Sequence, residues 1–250
     1  MPVRYVRSLT SEERTARGDR HLGFALAFVA GAANAGAFLA VGIYTSHMTG
    51  LVSSIADHVA LGHLGLALAA LSAVLSFLLG AATSAIMIHY ARRRGLRSQY
   101  ALPLLFEALL LLLFGLLGAS LEQIHGFFAP LTVTLLCYMM GLQNAVITKI
   151  SGAVVRTTHL TGIITDLGIE LGRLVYWNRA PHVHGERVVA DRQRLQVLGL
   201  LCAFFLIGGV SGALGFKHLG FTTTIPLAAV LVVLSIVPVW DDLATTRKPG

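Results

Sequence analysis

Six apolar runs, each close to the length of one bilayer crossing, leave this chain few folds to choose from. They cover roughly residues 22–43, 64–90, 100–119, 127–148, 195–216 and 222–240, and a helix needs about 20 residues to cross about 30 Å of hydrocarbon. The rest of the composition agrees: 55% of the 250 residues are hydrophobic, 12% are charged, and the mean hydropathy is +0.74. Soluble domains carry about twice that share of charge. Backbone N–H and C=O groups find no water in hydrocarbon, so each run is predicted to be a helix that satisfies them internally. The expected fold class is all-α and polytopic, one membrane domain over 22–242 between an N-terminal tail, 1–21, and a C-terminal tail, 243–250. The first tail is polar and Arg-rich with no cleavable pattern behind it, so it is not read as a signal peptide.

Basic residues alternate with these runs. Arg4, Arg7, Arg14, Arg17 and Arg20 precede the first, Arg92, Arg93, Arg94 and Arg97 lie between the second and third, and Arg173, Arg179, Arg187, Arg192 and Arg194 precede the fifth. With Lys149, Arg156, Arg247 and Lys248, this puts 18 of the 19 Lys and Arg residues on one face if six spans alternate, leaving Lys217 opposite. The positive-inside bias then predicts cytoplasmic N and C termini, with the lipid bilayer as partner. It also accounts for the pI of 9.9 without a nucleic-acid partner, because a soluble binding face has no need of this alternation. Cys137 and Cys202 stand singly inside spans four and five with no disulfide or zinc spacing, and no metal or other cofactor is expected.

Within the apolar background one polar pattern occurs twice. The first copy is Gly31-Ala32-Ala33-Asn34-Ala35 followed by Thr45-Ser46-His47-Met48-Thr49-Gly50; the second is Gly141-Leu142-Gln143-Asn144-Ala145 followed by Thr157-Thr158-His159-Leu160-Thr161-Gly162. The offset is 110 residues for the Asn-Ala part and 112 for the Thr-His-x-Thr-Gly part. Residues 44–63 and 157–177, which carry Asp57, His58 and His63 or Asp166, Glu170 and Arg173, are too polar for ordinary spans. A full crossing there would carry the Arg92-Arg93-Arg94 loop to the other side and destroy the charge bias. Each segment is therefore expected either to dip into the bilayer and return or to lie along the interface as an amphipathic helix. Each half then holds three crossings, an odd number, so the second half enters from the opposite side. The expected arrangement is two inverted three-span repeats, about 22–119 and 127–240, each with a broken or re-entrant Thr-His-x-Thr-Gly segment.

These paired patterns, with Tyr44 leading the first Thr-Ser-His-Met-Thr-Gly, resemble the YoaK family of uncharacterised bacterial integral membrane proteins over about residues 20–242. The resemblance implies this topology and no substrate. Two positions depart from the family pattern: Asn34 stands where many members have Asp, and Leu51 where Asn is frequent. The first departure removes a titratable group and with it a proton-coupled role for that position.

The candidate substrate-binding residues are Asn34, Thr45, His47, Thr49, Asn144, Thr158, His159, Thr161 and Asp166. An amide in hydrocarbon has donors and acceptors to satisfy, so Asn34 and Asn144 either clamp spans one and four together or line a polar passage. The hydroxyls before each half-helix can cap its amides, and Gly50 and Gly162 are expected to supply the tight backbone that lets the chain re-enter. His47 and His159 exceed that need, since a neutral imidazole can bind a solute or pass a proton near its ordinary range of about 6.5. Asp57 and Asp166 are either carboxylates near the site or polar-face residues of interfacial helices. Glu107, in span three, is expected either to face the bundle interior or to snorkel towards Arg92–Arg97, with snorkelling the favoured choice. His182-Val183-His184 reads as a solvated loop. The small-residue stripes, Ser72-Ser76-Gly80-Ser84 and Gly208 with Gly212, suit close packing within the protomer or across a homodimer.

The reading that fits best is a transporter or channel, not an enzyme, for a small polar or anionic solute. The anion preference follows from half-helix amino ends aimed at the midplane. A non-transporting scaffold or partner subunit would use the same residues as clamps. An intramembrane enzyme could assemble Ser46, His47, Thr49 and Asp57 into a catalytic set, but no spacing demands it.

Overall fold

A computed structural model describes residues 16–96, 98–121, 128–150, 160–176 and 188–246. In chain order the helices are α1 (Ala16–Val41), α2 (Met48–Ala60), α3 (Leu64–Arg93), α4 (Ala101–Leu121), α5 (Phe128–Ile150), α6 (Leu160–Val175), α7 (Arg192–Leu219), a 3-10 turn (Gly220–Thr223) and α8 (Thr224–Thr246); there is no strand among the described residues. Five stretches are long and apolar enough to cross a membrane: Arg20–Leu39, Leu64–Arg93, Ala101–Gly118, Leu131–Lys149 and Arg192–Ile236. The last of these contains both α7 and α8. The chain is thus an all-helical protein with the helices of a multi-pass membrane protein.

The two polar segments form helices of about half a span. At the end of α1 the chain turns at Gly42, whose φ of 72° is left-handed and whose N–H donates to the Phe38 carbonyl. It then descends before starting α2, which has 13 residues against the 30 of α3. The α2–α3 turn closes on Gly62, φ 74°, with His63 N–H donating to the His58 carbonyl and Gly62 N–H to that of Val59. This three-residue reversal lays α2 back along the first half of α3, where Met48 and Leu51 join Ala73, Val74 and Phe77 in one apolar cluster. Helix α3 is about 45 Å long at 1.5 Å per residue, so the amino end of α2 sits level with its middle. In the other half, α6 packs on α7 the same way. Ile163 clusters with Leu198 and Leu201, while Asp166 and Glu170 reach Arg194 and Asp191 near the start of α7.

The long helices pair across the two halves: α1 packs on α7, α5 on α3, and α4 on α8. Glycines bring the first two pairs into backbone contact. A Cβ added at Gly31 would run into the Phe205 carbonyl oxygen, and one at Gly208 into that of Phe28. At the other crossing, a Cβ at Gly141 would meet the Phe77 carbonyl and one at Gly80 that of Tyr138. The two crossings use corresponding residues: Gly31 with Gly141 and Phe28 with Tyr138 at the offset of 110, Phe77-Leu78-Leu79-Gly80 with Phe205-Leu206-Ile207-Gly208 at an offset of 128. Gly80, Gly208 and Gly212 of the small-residue stripes are therefore occupied within the protomer, Gly212 lying against Ala32.

Helix α1 is the most enclosed, with 67% of its apolar window buried against 22% for α3. Leu22, Leu26, Leu104, Leu111, Phe114 and Leu231 are among the side chains of the main core. On α3 the outward face is a row of exposed leucines, including Leu68, Leu71, Leu75 and Leu78, which in a membrane meets lipid rather than water.

Candidate functional site

Asn34 and the segment twelve residues beyond it form the first polar node. Because the chain returns over the Gly42 turn, Ser46 comes level with Asn34; the Ser46 hydroxyl donates to Asn34 Oδ1 at 3.0 Å and the Ser46 N–H to the same oxygen at 3.3 Å. Phe38 and Tyr44 stack above it with ring centroids 4.5 Å apart, closing the loop. Thr45, between them, is fully buried, and its Oγ1 has no hydrogen-bond partner among the described residues. A buried hydroxyl left unpaired costs about 1–3 kcal/mol, so such an atom marks a place with spare bonding capacity.

The amino end of α2 follows at once. His47 is its N-cap, with φ −90° and ψ 68°, and no side chain caps the helix. The expectation that hydroxyls would cap this half-helix fails here because Ser46 is spent on Asn34 and Thr45 is turned into the core. Gly50 also has a different role from the one expected. It lies inside α2, the left-handed glycines are Gly42 and Gly62, and a Cβ at position 50 would stand 2.6 Å from His47 Nδ1. Its missing side chain makes room for the imidazole three residues earlier, and the His159–Gly162 pair repeats that spacing. His47 and Thr49 are themselves exposed on the protein surface.

In the second half the Gln143 amide crosses between helices. Its side chain is buried, Nε2 donates to the Leu26 carbonyl of α1 at 3.5 Å, and Oε1 has no partner among the described residues. Asn144, next to it, is half-buried, and its carbonyl accepts from the Thr148 hydroxyl at 2.8 Å. Thr158 and His159 lie outside the described residues. Thr161 is exposed at the start of α6, and Asp166 forms an ion pair with Arg194 at 2.9 Å. The structure thus gathers Asn34, Thr45 and Ser46, and ties Asp166 to α7 instead of to that group.

Two carboxylates are buried. Glu170 is 1% exposed; its Oε2 accepts the Asp191 N–H at 2.9 Å, and its Oε1 accepts from Arg173 at 2.9 Å with Arg194 4.0 Å away. Its burial is signalled in residue order only by an acid standing on the apolar side of an amphipathic helix. Glu107 does not snorkel. It is 3% exposed and Oε2 is unpaired, while Arg92 of the expected basic cluster is held by Gln99 Oε1 at 2.7 Å and Tyr100 Oη at 2.6 Å. Its position on the face of α4 that carries Leu104, Ala108 and Leu111 turns it into the core.

Residues 22–237 match the family described as a protein of unknown function, DUF1275. The chain belongs to that family. The match runs from within α1 to within α8 and includes the polar residues around Asn34 and Gln143. No curated protein and no solved structure matches the chain.

Proposed function

We propose that this protein is a carrier or channel for a small polar or anionic solute, with six spans in two inverted repeats and the site at the amino ends of α2 and α6. The observation that carries the reading is Thr45: a fully buried hydroxyl without a partner, beside the Asn34–Ser46 bond, where an uncapped half-length helix begins midway along a spanning helix. Purely structural polar groups in hydrocarbon are expected to satisfy one another. An uncapped helix start also presents free N–H groups and the positive end of its dipole, which favours an anionic group. The inverted arrangement is supported by the reciprocal glycine crossings, in which α1 meets α7 through the same positions by which α5 meets α3. Counting α7 and α8 separately, on either side of Gly220, gives the six spans.

The scaffold reading draws on the Asn34–Ser46 and Asp166–Arg194 contacts, which behave as clamps. Thermal unfolding of the purified protein against a panel of small anions and polar solutes separates the two. A bound solute at 100 times its Kd adds about 2.7 kcal/mol, a rise of several degrees in a chain of this size. Asn144→Ala and His159→Ala should remain folded and lose that rise; unfolding of both variants, with no solute effect in the parent, would favour the scaffold.

The proposed orientation places both termini and the Arg92–Arg94 and Arg192–Arg194 ends in the cytoplasm of a bacterial inner membrane. A cysteine substituted for Arg94 should resist impermeant thiol reagents added outside intact cells and react once the cells are opened. Labelling from outside would overturn the orientation.

A further inference from the structure

Glu107 is the one acid on α4, and it lies seven residues into a helix whose neighbours offer it nothing of opposite charge. Helix α8 has no titratable residue between Thr224 and Trp240, and the 3-10 turn has none. Helix α5 meets α4 through the ring of Tyr138, which lies edge-on to Phe106 and whose hydroxyl is spent on Thr83 Oγ1 at 2.8 Å; Cys137 of the same helix is buried against α2 and α3 instead. Its only charged residue, Lys149, is exposed at the far end. Helix α3 brings His89, Tyr90, Arg92 and Arg93 at its carboxyl end, all of them exposed. Glu107 makes no hydrogen bond or ion pair among the described residues, although its side chain is 3% exposed.

An ionised carboxylate in that position would be a bare charge in the apolar core, a cost of several kcal/mol that no neighbour offsets. A neutral acid leaves only an unpaired hydroxyl and carbonyl. Acids kept inside membrane helices despite this cost mark proton or ion pathways. We infer that Glu107 is a proton-binding site of the membrane domain, holding its proton in this conformation and releasing it in another conformation of the carrier. Proton release requires a second state in which water or a cation reaches α4, so the inference rests on the carrier reading. It makes the proton the coupled ion. The reaction is a simple exchange: the carboxyl O–H breaks, the proton passes to water, and the carboxylate is rehydrated. The amides of Asn34 and Gln143 do not titrate, whereas Glu107 places a carboxyl group in the core.

Infrared spectroscopy of the full chain in liposomes reads the proton directly through the C=O band of a protonated carboxyl. The band should be present in the parent and fall as pH rises, the protonated fraction dropping about tenfold per pH unit beyond the titration point. It should be missing from Glu107→Gln, which should unfold no more easily than the parent. Should that variant fail to fold, mapping of a hydrophobic carbodiimide to Glu107 in the parent chain, declining with the same pH dependence, reads the same proton. A band insensitive to Glu107→Gln, absent at every pH, or unchanged by pH would overturn the inference. Solute-induced stabilisation without a titrating Glu107 leaves the carrier standing and removes this inference; a titrating Glu107 with no stabilising solute keeps the proton-binding site and removes both the carrier and the coupling.

Discussion

Gly80→Val and Gly208→Val should each leave little or no folded protein. At both positions a side chain would be driven into the backbone carbonyl of a neighbouring helix, Tyr138 in one case and Phe28 in the other. A carbonyl fixed in a helix cannot swing away as a side-chain tip can, so the helices themselves must separate. Overpacking a core typically costs about 1–3 kcal/mol, and a contact between two backbones belongs at or beyond the upper end. Gly80→Ala and Gly208→Ala should already lower the unfolding temperature in detergent, and equally, because the two crossings use corresponding residues. Gly199→Ala supplies the contrast: nothing lies within 4 Å of a Cβ there, and the change should be neutral or gain about 1 kcal/mol from helix propensity. Parent-like unfolding of Gly80→Val would mean that α3 and α5 do not cross as described.

Glu170→Ala should cost about 2–3 kcal/mol, the second large effect. It removes the acceptor for the Asp191 N–H, at the residue whose own carboxylate caps α7 by accepting from Gln193 N and Arg194 N. It also leaves Arg173 without its partner. The loss of a buried charged acceptor weighs more than the ion pairs, because the Arg173 and Arg194 side chains are 46% and 52% exposed and screened by solvent. Arg194→Ala should therefore cost less than about 1 kcal/mol, and that cost should shrink with added salt, while the Glu170→Ala cost persists. Thermal unfolding at low and high salt distinguishes them. Equal costs for the two variants would place the stabilisation in the exposed pairs.

How much of this could be read from residue order depends on the range of each interaction. Hydropathy and charge are local properties summed over a window, and the long helices begin and end within a few residues of the apolar runs; α1 starts earlier, at Ala16, and stops at Gly42. Helices α2 and α6 likewise fall in the two segments, 44–63 and 157–177, that are too polar for ordinary spans. Which side chain meets which was not. Ser46 reaches Asn34 because of a loop descent that no periodicity encodes, and that diverts the hydroxyl from capping α2. Gln143, adjacent to the repeated Asn144, makes the cross-helix bond because it points at α1, a matter of one helical step of about 100°. The snorkelling expected of Glu107 assumed an outward-facing position, and its register with Leu104 and Leu111 turns it inward. One signal was present and overlooked: the Phe-Leu-x-Gly echo at 77–80 and 205–208 marks the crossings as clearly as the Asn-Ala echo marks the polar nodes.

If solute reaches Thr45, a thiol placed at that residue is open to reagent from the aqueous phase. With Cys137 and Cys202 first replaced by alanine, Thr45→Cys should react with a small impermeant thiol reagent. It should do so both in intact cells and in inside-out vesicles, and more slowly in the presence of a stabilising solute. Failure to react from either side, in a folded protein, would show a sealed structural node and contradict the account.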